Sequence, residues 1–353
     1  MITPKDMERF TNNEVVNMYS ELNQDLTKTI IKKLKKGGDL SSFTQSQIIA
    51  LKRAGGEEIF KEALKKTNGL TAKRKKEIEN LFDDIADTEM KGYKTVFTKK
   101  GIEYKLSKEM IQTLKYAKKV GNKNLNNLTK SIAYKSKRTY IKAVDKVYKE
   151  VVTGAYDYNT SIKKAVRDLA SNGVKLKNKA GREEQIDVAV KRNLYTGIQQ
   201  TANDIAKQVG ELIDANCVKI GHSGSCRPSH HVIDAVTMSL EKFKKYEYLT
   251  EEPNCNHIVN YDWQEEFEDT TTKVESHDDR LSYTETVNNY KKQQKANYYA
   301  RQVRSKKNDI ASGDKSKDAK IKLGLAQKKY REYCKQNNID VDYFKTWKVG
   351  YNK

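Results

Sequence analysis

Only three prolines occur in the 353-residue chain, at positions 4, 228 and 253, so nothing between residues 5 and 227 carries the strongest helix breaker. Long helices are free to form over that stretch. Cysteine is scarce as well: four in a chain this long do not make a disulfide scaffold, and a reducing compartment keeps them as thiols. No run approaches the roughly 20 apolar residues that a membrane-spanning helix needs. The opening Met1-Ile2-Thr3-Pro4-Lys5-Asp6 lacks the apolar core of a secretory signal. These absences predict a protein that stays in the cytoplasm where it is made, with no membrane partner. The sequence also lacks a phosphate-cradling loop, a dinucleotide fingerprint, a tandem repeat and a low-complexity tract.

Positive charge is what the chain has in excess. Lys and Arg number 68 against 47 Asp and Glu, a formal net charge of +21, in a composition that is 33% charged and 37% hydrophobic. Such a balance favours an anionic partner, either nucleic acid or an acidic protein surface. The plainer reading is a lysine-rich, well-solvated helical surface. The length suits two or three compact units with a sizeable buried core.

Up to residue 154 the apolar residues recur at helical spacing. Val15, Met18, Tyr19, Leu22, Leu26, Ile30 and Leu34 form one stripe, capped by Thr11 or Asn13 and ended by Gly37-Gly38. Thr44-Gln45-Ser46-Gln47 has a capping-box pattern and opens a second helix, which Gly55-Gly56 is expected to stop. Ile59, Phe60 and Leu64 mark a short helix ended by Gly69, and Thr71 caps another bearing Ile78, Leu81, Phe82 and Ile85. Residues 91 to 106 carry no clear signal; beyond them the helical period runs through Leu125, Leu128, Ile132, Ile141, Val144, Tyr148 and Val151 to Gly154. The stripes are narrow and flanked by Lys and Glu, which predicts helices only half buried.

Residues 155 to 275 read as a compact α+β unit. A helix carries Ile162, Ala165, Val166 and Leu169, Asn172-Gly173 supplies its cap, and Val174-Lys175-Leu176-Lys177 alternates as a strand does before an Ala180-Gly181 turn. A long helix with Val190, Leu194, Ile198, Ala202, Ile205 and Val209 is expected to lie across a small sheet that includes Val218-Lys219-Ile220 and the residues around Ile258 and Val259. From 276 to 353 the chain returns to basic helix. Tyr290, Gln293, Gln294, Arg301, Arg304, Lys306 and Lys307 lie on a helix with little apolar stripe, Asp309 to Ser316 reads as a loop, and a last helix bears Ile321, Leu325, Tyr330 and Tyr333. A short segment with Trp347 and Tyr351 follows. The fold class expected is therefore mainly α: a helical region over 1–154, an α+β core over 155–275 and a basic helical tail over 276–353.

Chemistry-bearing residues concentrate in one window. Cys217, Cys226, Cys255, His222, His230, His231 and His257 all fall between positions 217 and 257, three of the four cysteines and four of the five histidines. Thiolate and imidazole are the preferred ligands of zinc, and His222, His230, Cys255 and His257 are the candidate set, closed and structural because no carboxylate stands at a general-base spacing. The spacing is not a paired Cys-x-x-Cys or a His-Glu-x-x-His. Alternatively, these side chains bond neighbouring loop backbone and fix a connection that has no ladder of its own, and no cofactor is bound. A Cys-His catalytic pair is a third reading, with Cys226 or Cys255 as nucleophile and His222, His230 or His257 as base.

In this window the sequence resembles the phage minor capsid protein 2 family, a relative of MuF-like head-morphogenesis proteins. The residues that carry the resemblance are His222, Gly224, Arg227, Pro228, Ser229 and His230, followed by Asn254, Cys255 and His257. One extra residue stands before Arg227. Gly173, the Ala180-Gly181-Arg182 turn, Val188 through Arg192, Thr196 and Gln199 agree upstream; Tyr290, Gln293-Gln294, Arg301 and Arg304 agree downstream. The approach to Cys255, Thr250-Glu251-Glu252-Pro253, departs from the more Gly- and Trp-rich family pattern. Cys226 stands at or beside a position where the family commonly has a small residue, which makes it a poor choice for a shared ligand or nucleophile.

The resemblance implies a structural, non-enzymatic minor capsid protein of a tailed phage that acts in head morphogenesis and in DNA packaging or ejection. Residues 1–154 would dock on portal and other capsid proteins. The chain would reside in the virion, inside the head near the portal, and in the host cytoplasm during assembly. Packaged double-stranded DNA would be met without sequence preference, with Arg301, Arg304, Lys306 and Lys307 as candidate contacts and no small-molecule substrate. Two other classes compete: a zinc-dependent nuclease or hydrolase built on the His and Cys window, and a non-specific DNA-binding protein of a mobile element, for which Tyr298-Tyr299-Ala300-Arg301 offers aromatics beside a cation.

Overall fold

A computed structural model describes residues 2–11, 13–178, 181–221, 226–252, 255, 257–266, 268–271, 281–311 and 316–341. Among them 11 α-helices dominate, with only small sheets of two and three strands, so the fold is mainly α as the sequence predicts. The helices are α1 (Pro4–Thr11), α2 (Glu14–Lys36), α3 (Gln45–Gly69), α4 (Thr71–Lys100), α5 (Lys108–Val152), α6 (Tyr158–Asn172), α7 (Ile186–Leu212), α8 (Leu240–Lys244), α9 (Glu247–Thr250), α10 (Tyr283–Ala311) and α11 (Lys317–Gln336). No helix among the described residues is long and apolar enough to cross a membrane. Trp347, Tyr351 and Ala180 lie outside the described residues.

The chain forms two compact units, one of residues 1–13, 75–124 and 191–295, the other of 14–74, 125–190 and 296–353. The cuts fall inside α4, α5, α7 and α10, so each unit draws on distant parts of the sequence.

The second unit is built on α2, which buries far more than a narrow stripe: Ser20, Asn23 and Thr27 are sealed along with Val15, Met18, Tyr19, Leu22, Leu26, Ile30, Ile31 and Leu34. Asn23 and Tyr19 find partners. Asn23 Oδ1 accepts the Val174 N–H at 2.9 Å, and the Tyr19 hydroxyl accepts from the Arg74 guanidinium at 2.9 Å and lies 3.0 Å from Thr129 Oγ1. The Thr44 capping box forms and opens α3, but the helix does not stop at Gly55-Gly56. It runs on to Gly69. A Cβ on Gly55 would run into the Tyr140 hydroxyl, and Tyr140 is fully buried, so the glycine serves a close approach of α3 to α5. Gly37-Gly38 and Gly173 do end their helices, with positive φ at Gly38 and Gly173. Past Gly173, β1 (Lys175–Lys177) pairs antiparallel with β2 (Glu183–Gln185). In the tail, Ala296, Ala300 and Val303 of α10 pack on Tyr330 and Cys334 of α11, a stripe of small residues that reads as little apolar in sequence.

The first unit holds a three-stranded antiparallel sheet with β3 (Cys217–Ile220) at its centre, flanked by β4 (Val236–Ser239) and β5 (Val259–Asp262). β3 and β5 were expected. β4 is an addition: its four residues alternate buried and half-buried, and the left-handed Ala235 turns the chain into it. α7 crosses the sheet closely, since a Cβ on Gly210 would lie 2.6 Å from Tyr261 Cβ, and the Tyr261 N–H donates to the Tyr93 hydroxyl at 3.1 Å.

One buried acid in this unit gives a pH signature. Glu89 is fully buried and accepts the Ile2 N–H at 2.7 Å. Burial lifts its carboxyl from the ordinary 4.5 to about 7, with Asp6 adding to the rise and the Ile2 bond opposing it. The folded protein therefore holds a proton between pH 4.5 and 7 that the unfolded chain has released, and the stability this gives is lost as pH rises through 7. Glu89→Gln keeps an oxygen for Ile2 and removes the titration. Urea denaturation across this range should show the wild type losing about 3 kcal/mol relative to the variant between about pH 4.5 and about pH 8. Parallel curves for the two proteins would refute this.

Candidate functional site

The chain between β3 and β5 builds the site. Pro228 presets the first position of a 3-10 helix over Pro228–Ile233, and Arg227 stands as its cap. Residues three apart eclipse on a 3-10 turn, so Arg227 and His230 reach the same carboxylate. Arg227 Nη1 donates to Glu252 Oε2 at 2.8 Å, and His230 Nε2 lies 3.0 Å from that oxygen. Arg227, Pro228 and His230 of the resemblance motif thus form one local device, while Ser229 is exposed. Cys255 and His257 follow α9 and lead into β5.

Three donor atoms converge inside. Cys255 Sγ lies 3.5 Å from His230 Nδ1 and 3.3 Å from His257 Nδ1, with the two imidazole centroids 5.6 Å apart. His257 turns its other nitrogen to Asp234, 2.9 Å from Oδ1. A carboxylate only accepts, so each ring carries its proton on Nε2 when neutral and aims a lone pair at the sulfur. Gln199 of α7 braces the backbone, donating through Nε2 to the carbonyls of His257 (2.9 Å) and Thr250 (3.2 Å). Cys226 Sγ donates to the Arg227 carbonyl at 3.1 Å, and it forms with Asp234 and His257 a second set of side chains whose ligand atoms lie within 4.8 Å of one another.

Electrostatics distinguish the two rings. Burial lowers His230 and outweighs the Glu252 bond that favours its charged form; Glu252 is lowered in turn, chiefly by its bond to His230. Burial opposes charge on His257 too, but bonds to Asp234, Cys226 and Cys255 prevail and push it up to about 11. Cys255 is 2% exposed, His257 1% and His230 0%.

Of the expected metal set, then, His230, Cys255 and His257 come together, while His222 lies outside the described residues, as do Gly224 and Asn254 of the motif. Asp234 and Glu252 were missed. In a chain with 47 acidic residues neither stands out, though each lies within four residues of a site side chain in sequence. Cys217 is buried in β3 and Cys334 in α11, and no cysteine pairs with another.

The basic candidates of the tail separate. Arg301 is exposed; Arg304 bonds the buried Asp187; Lys306 pairs with Asp309 of its own helix at 3.1 Å; burial holds Lys307 below the usual lysine range. A denser set of cations lies elsewhere in the second unit. Lys135, Arg138, Lys142 and Lys146 share one face of α5 and, with Lys175 and Lys177 of β1, line a groove of about 370 Å³. Among the described residues two carboxylates, Asp168 and Glu183, line it with them. Burial lowers Lys135, and the nearby Arg138 and Lys177 lower it further.

The chain is mainly helical and strongly basic, and it buries Cys226, His230, Cys255 and His257 close to a three-stranded sheet. The family model described as phage minor capsid protein 2 matches residues 2–335. The chain belongs to that family, which gives it a structural role in the phage capsid and a place in the virion. Searches of curated proteins and of solved structures returned no match.

Proposed function

We propose that this minor capsid protein works without catalysis inside the phage head, associated with the portal and other head proteins, and meets packaged DNA through the groove between α5 and β1. The observation that carries the DNA contact is the convergence of six cations on that groove against two carboxylates. Such a cluster repels itself unless an anion fills it, and phosphates on a polyanion do so while releasing counterions. Arg301 adds an exposed cation in the same unit. The sealing of Cys255 and both rings supports a role without turnover, because a nucleophile or general base needs a face open to substrate.

Binding to duplex DNA of random sequence, titrated with salt, tests this reading. The full-length protein should bind with no sequence preference and weaken steeply as salt rises. The triple variant Lys135→Gln, Arg138→Gln, Lys142→Gln should lower the slope of log affinity against log salt by about 2.7. Binding that ignores salt, or a triple variant with the wild-type slope, refutes the groove. Absence of the polypeptide from cross-links to the portal in purified virions refutes the portal location.

A further inference from the structure

We propose that His230, Cys255 and His257, with Cys226 as fourth ligand, hold one zinc ion in a closed structural site. The inference does not depend on DNA binding or on the portal. Bonds of about 2.3 Å to sulfur and about 2.0–2.1 Å to nitrogen, at tetrahedral angles, put a thiolate and an imidazole nitrogen on zinc roughly 3.5 Å apart. Cys255 Sγ stands 3.5 Å from one Nδ1 and 3.3 Å from the other. Two rings therefore present the same nitrogen to one sulfur at the spacing of ligands on a shared ion.

The outer contacts point the same way. A histidine that ligates metal donates its second nitrogen to a carboxylate or carbonyl, which fixes its tautomer and orientation. His230 meets Glu252, itself steadied by Arg227, and His257 meets Asp234. Loop-fixing alone does not require both imidazoles to be held by carboxylates from behind and to converge in front. Cys226 groups with Asp234 and His257 and not with His230 or Cys255, and its thiol bonds the Arg227 carbonyl, so it becomes the fourth ligand only by leaving that bond, while Asp234 remains the orienting group. Two soft thiolates and two imidazoles select zinc over magnesium or calcium. All four residues are buried, which fits a closed site and leaves no position for a substrate.

The metal would clip a connection that has little ladder of its own: the 3-10 turn before β4 to the approach to β5. Cys226 is 3 residues before the Ser229 of the motif, and the Cys-x-x-x-His and Cys-x-His spacings resemble neither usual zinc pairing, which is why sequence alone leaves the ligand set open.

Full-length protein purified without chelator should carry stoichiometric zinc by elemental analysis, and chelation should lower its melting temperature. Cobalt exchanged for zinc should give the intense visible bands of a tetrahedral site together with thiolate-to-metal charge transfer. Cys255→Ser and His257→Asn should lose the metal. Glu252→Gln, which leaves every ligand in place, should weaken zinc affinity about 10- to 100-fold. The cobalt spectrum of the wild type needs no variant to fold. Metal-free protein that binds added zinc or cobalt no more tightly than the Cys226→Ser, Cys255→Ser double variant overturns the site. A Cys226→Ser variant with unchanged affinity and cobalt spectrum overturns the four-ligand assignment.

Discussion

Replacing Asp234 by alanine is expected to lower the unfolding free energy by about 3–5 kcal/mol, the range for breaking a buried ion pair by removing one partner. Asp234 and His257 side chains are 2% and 1% exposed, so water cannot take over the lost bond. The ring is left with a buried Nε2–H facing nothing, and the charge that the pair shared has no compensation. Because Gln199 holds the His257 carbonyl and the chain enters β5 two residues later, displacement of the ring is transmitted to the edge of the sheet. Asp234→Asn retains an acceptor oxygen and should recover part of the loss. Urea denaturation of the three proteins at neutral pH measures both steps. A loss below about 1 kcal/mol for the alanine variant would mean that the pair does not hold the site.

The sequence signals that succeeded were those with a local physical cause. Gly38 and Gly173 end helices because the chain there needs positive φ, and the Thr44 box forms because Gln47 sits one turn away. Gly55-Gly56 carries the same letters as Gly37-Gly38, yet its reason is Tyr140, 85 residues distant, and a glycine chosen for a neighbour cannot be told from one chosen for its own backbone. The helical period read from Leu125 through Ile141 to Val151 is one helix, α5, of 45 residues, which begins earlier, at Lys108. β4 escaped although it is no shorter than β3 and β5, which were read.

The candidate site was legible in its composition and not in its wiring. The clustering of cysteine and histidine marks the window, and Arg227-x-x-His230 acquires meaning once Pro228 is seen to start a 3-10 turn. Asp234 and Glu252 had no signal beyond proximity. Cys226, set aside because the family commonly has a small residue near that position, stands against His257. The groove cations are invisible as a group in a lysine-rich chain: α5 and β1, with α6 between them in sequence, meet only in the fold.

Arg304 separates stability from nucleic-acid contact. Its guanidinium bonds the Asp187 carboxylate, the two side chains being 16% and 7% exposed, so α10 is tied to the start of α7 within one unit. A cation held this way, with its side chain 16% exposed, is turned to Asp187 and not to a phosphate in solution. Asp187→Ala should therefore lower stability by about 3 kcal/mol or more, leaving the arginine buried without its partner. Arg304→Ala should lower stability similarly while leaving the salt slope of DNA binding unchanged, because no cation is removed from the groove. The groove triple variant should do the reverse, changing the slope while moving stability by less than about 1 kcal/mol, since Arg138 and Lys142 are exposed and the half-buried Lys135 stands among like charges. Measured together by urea denaturation and salt-titrated DNA binding, the variants yield opposite patterns. An Arg304→Ala protein of wild-type stability that loses a unit of salt slope would transfer the DNA contact to the tail helix.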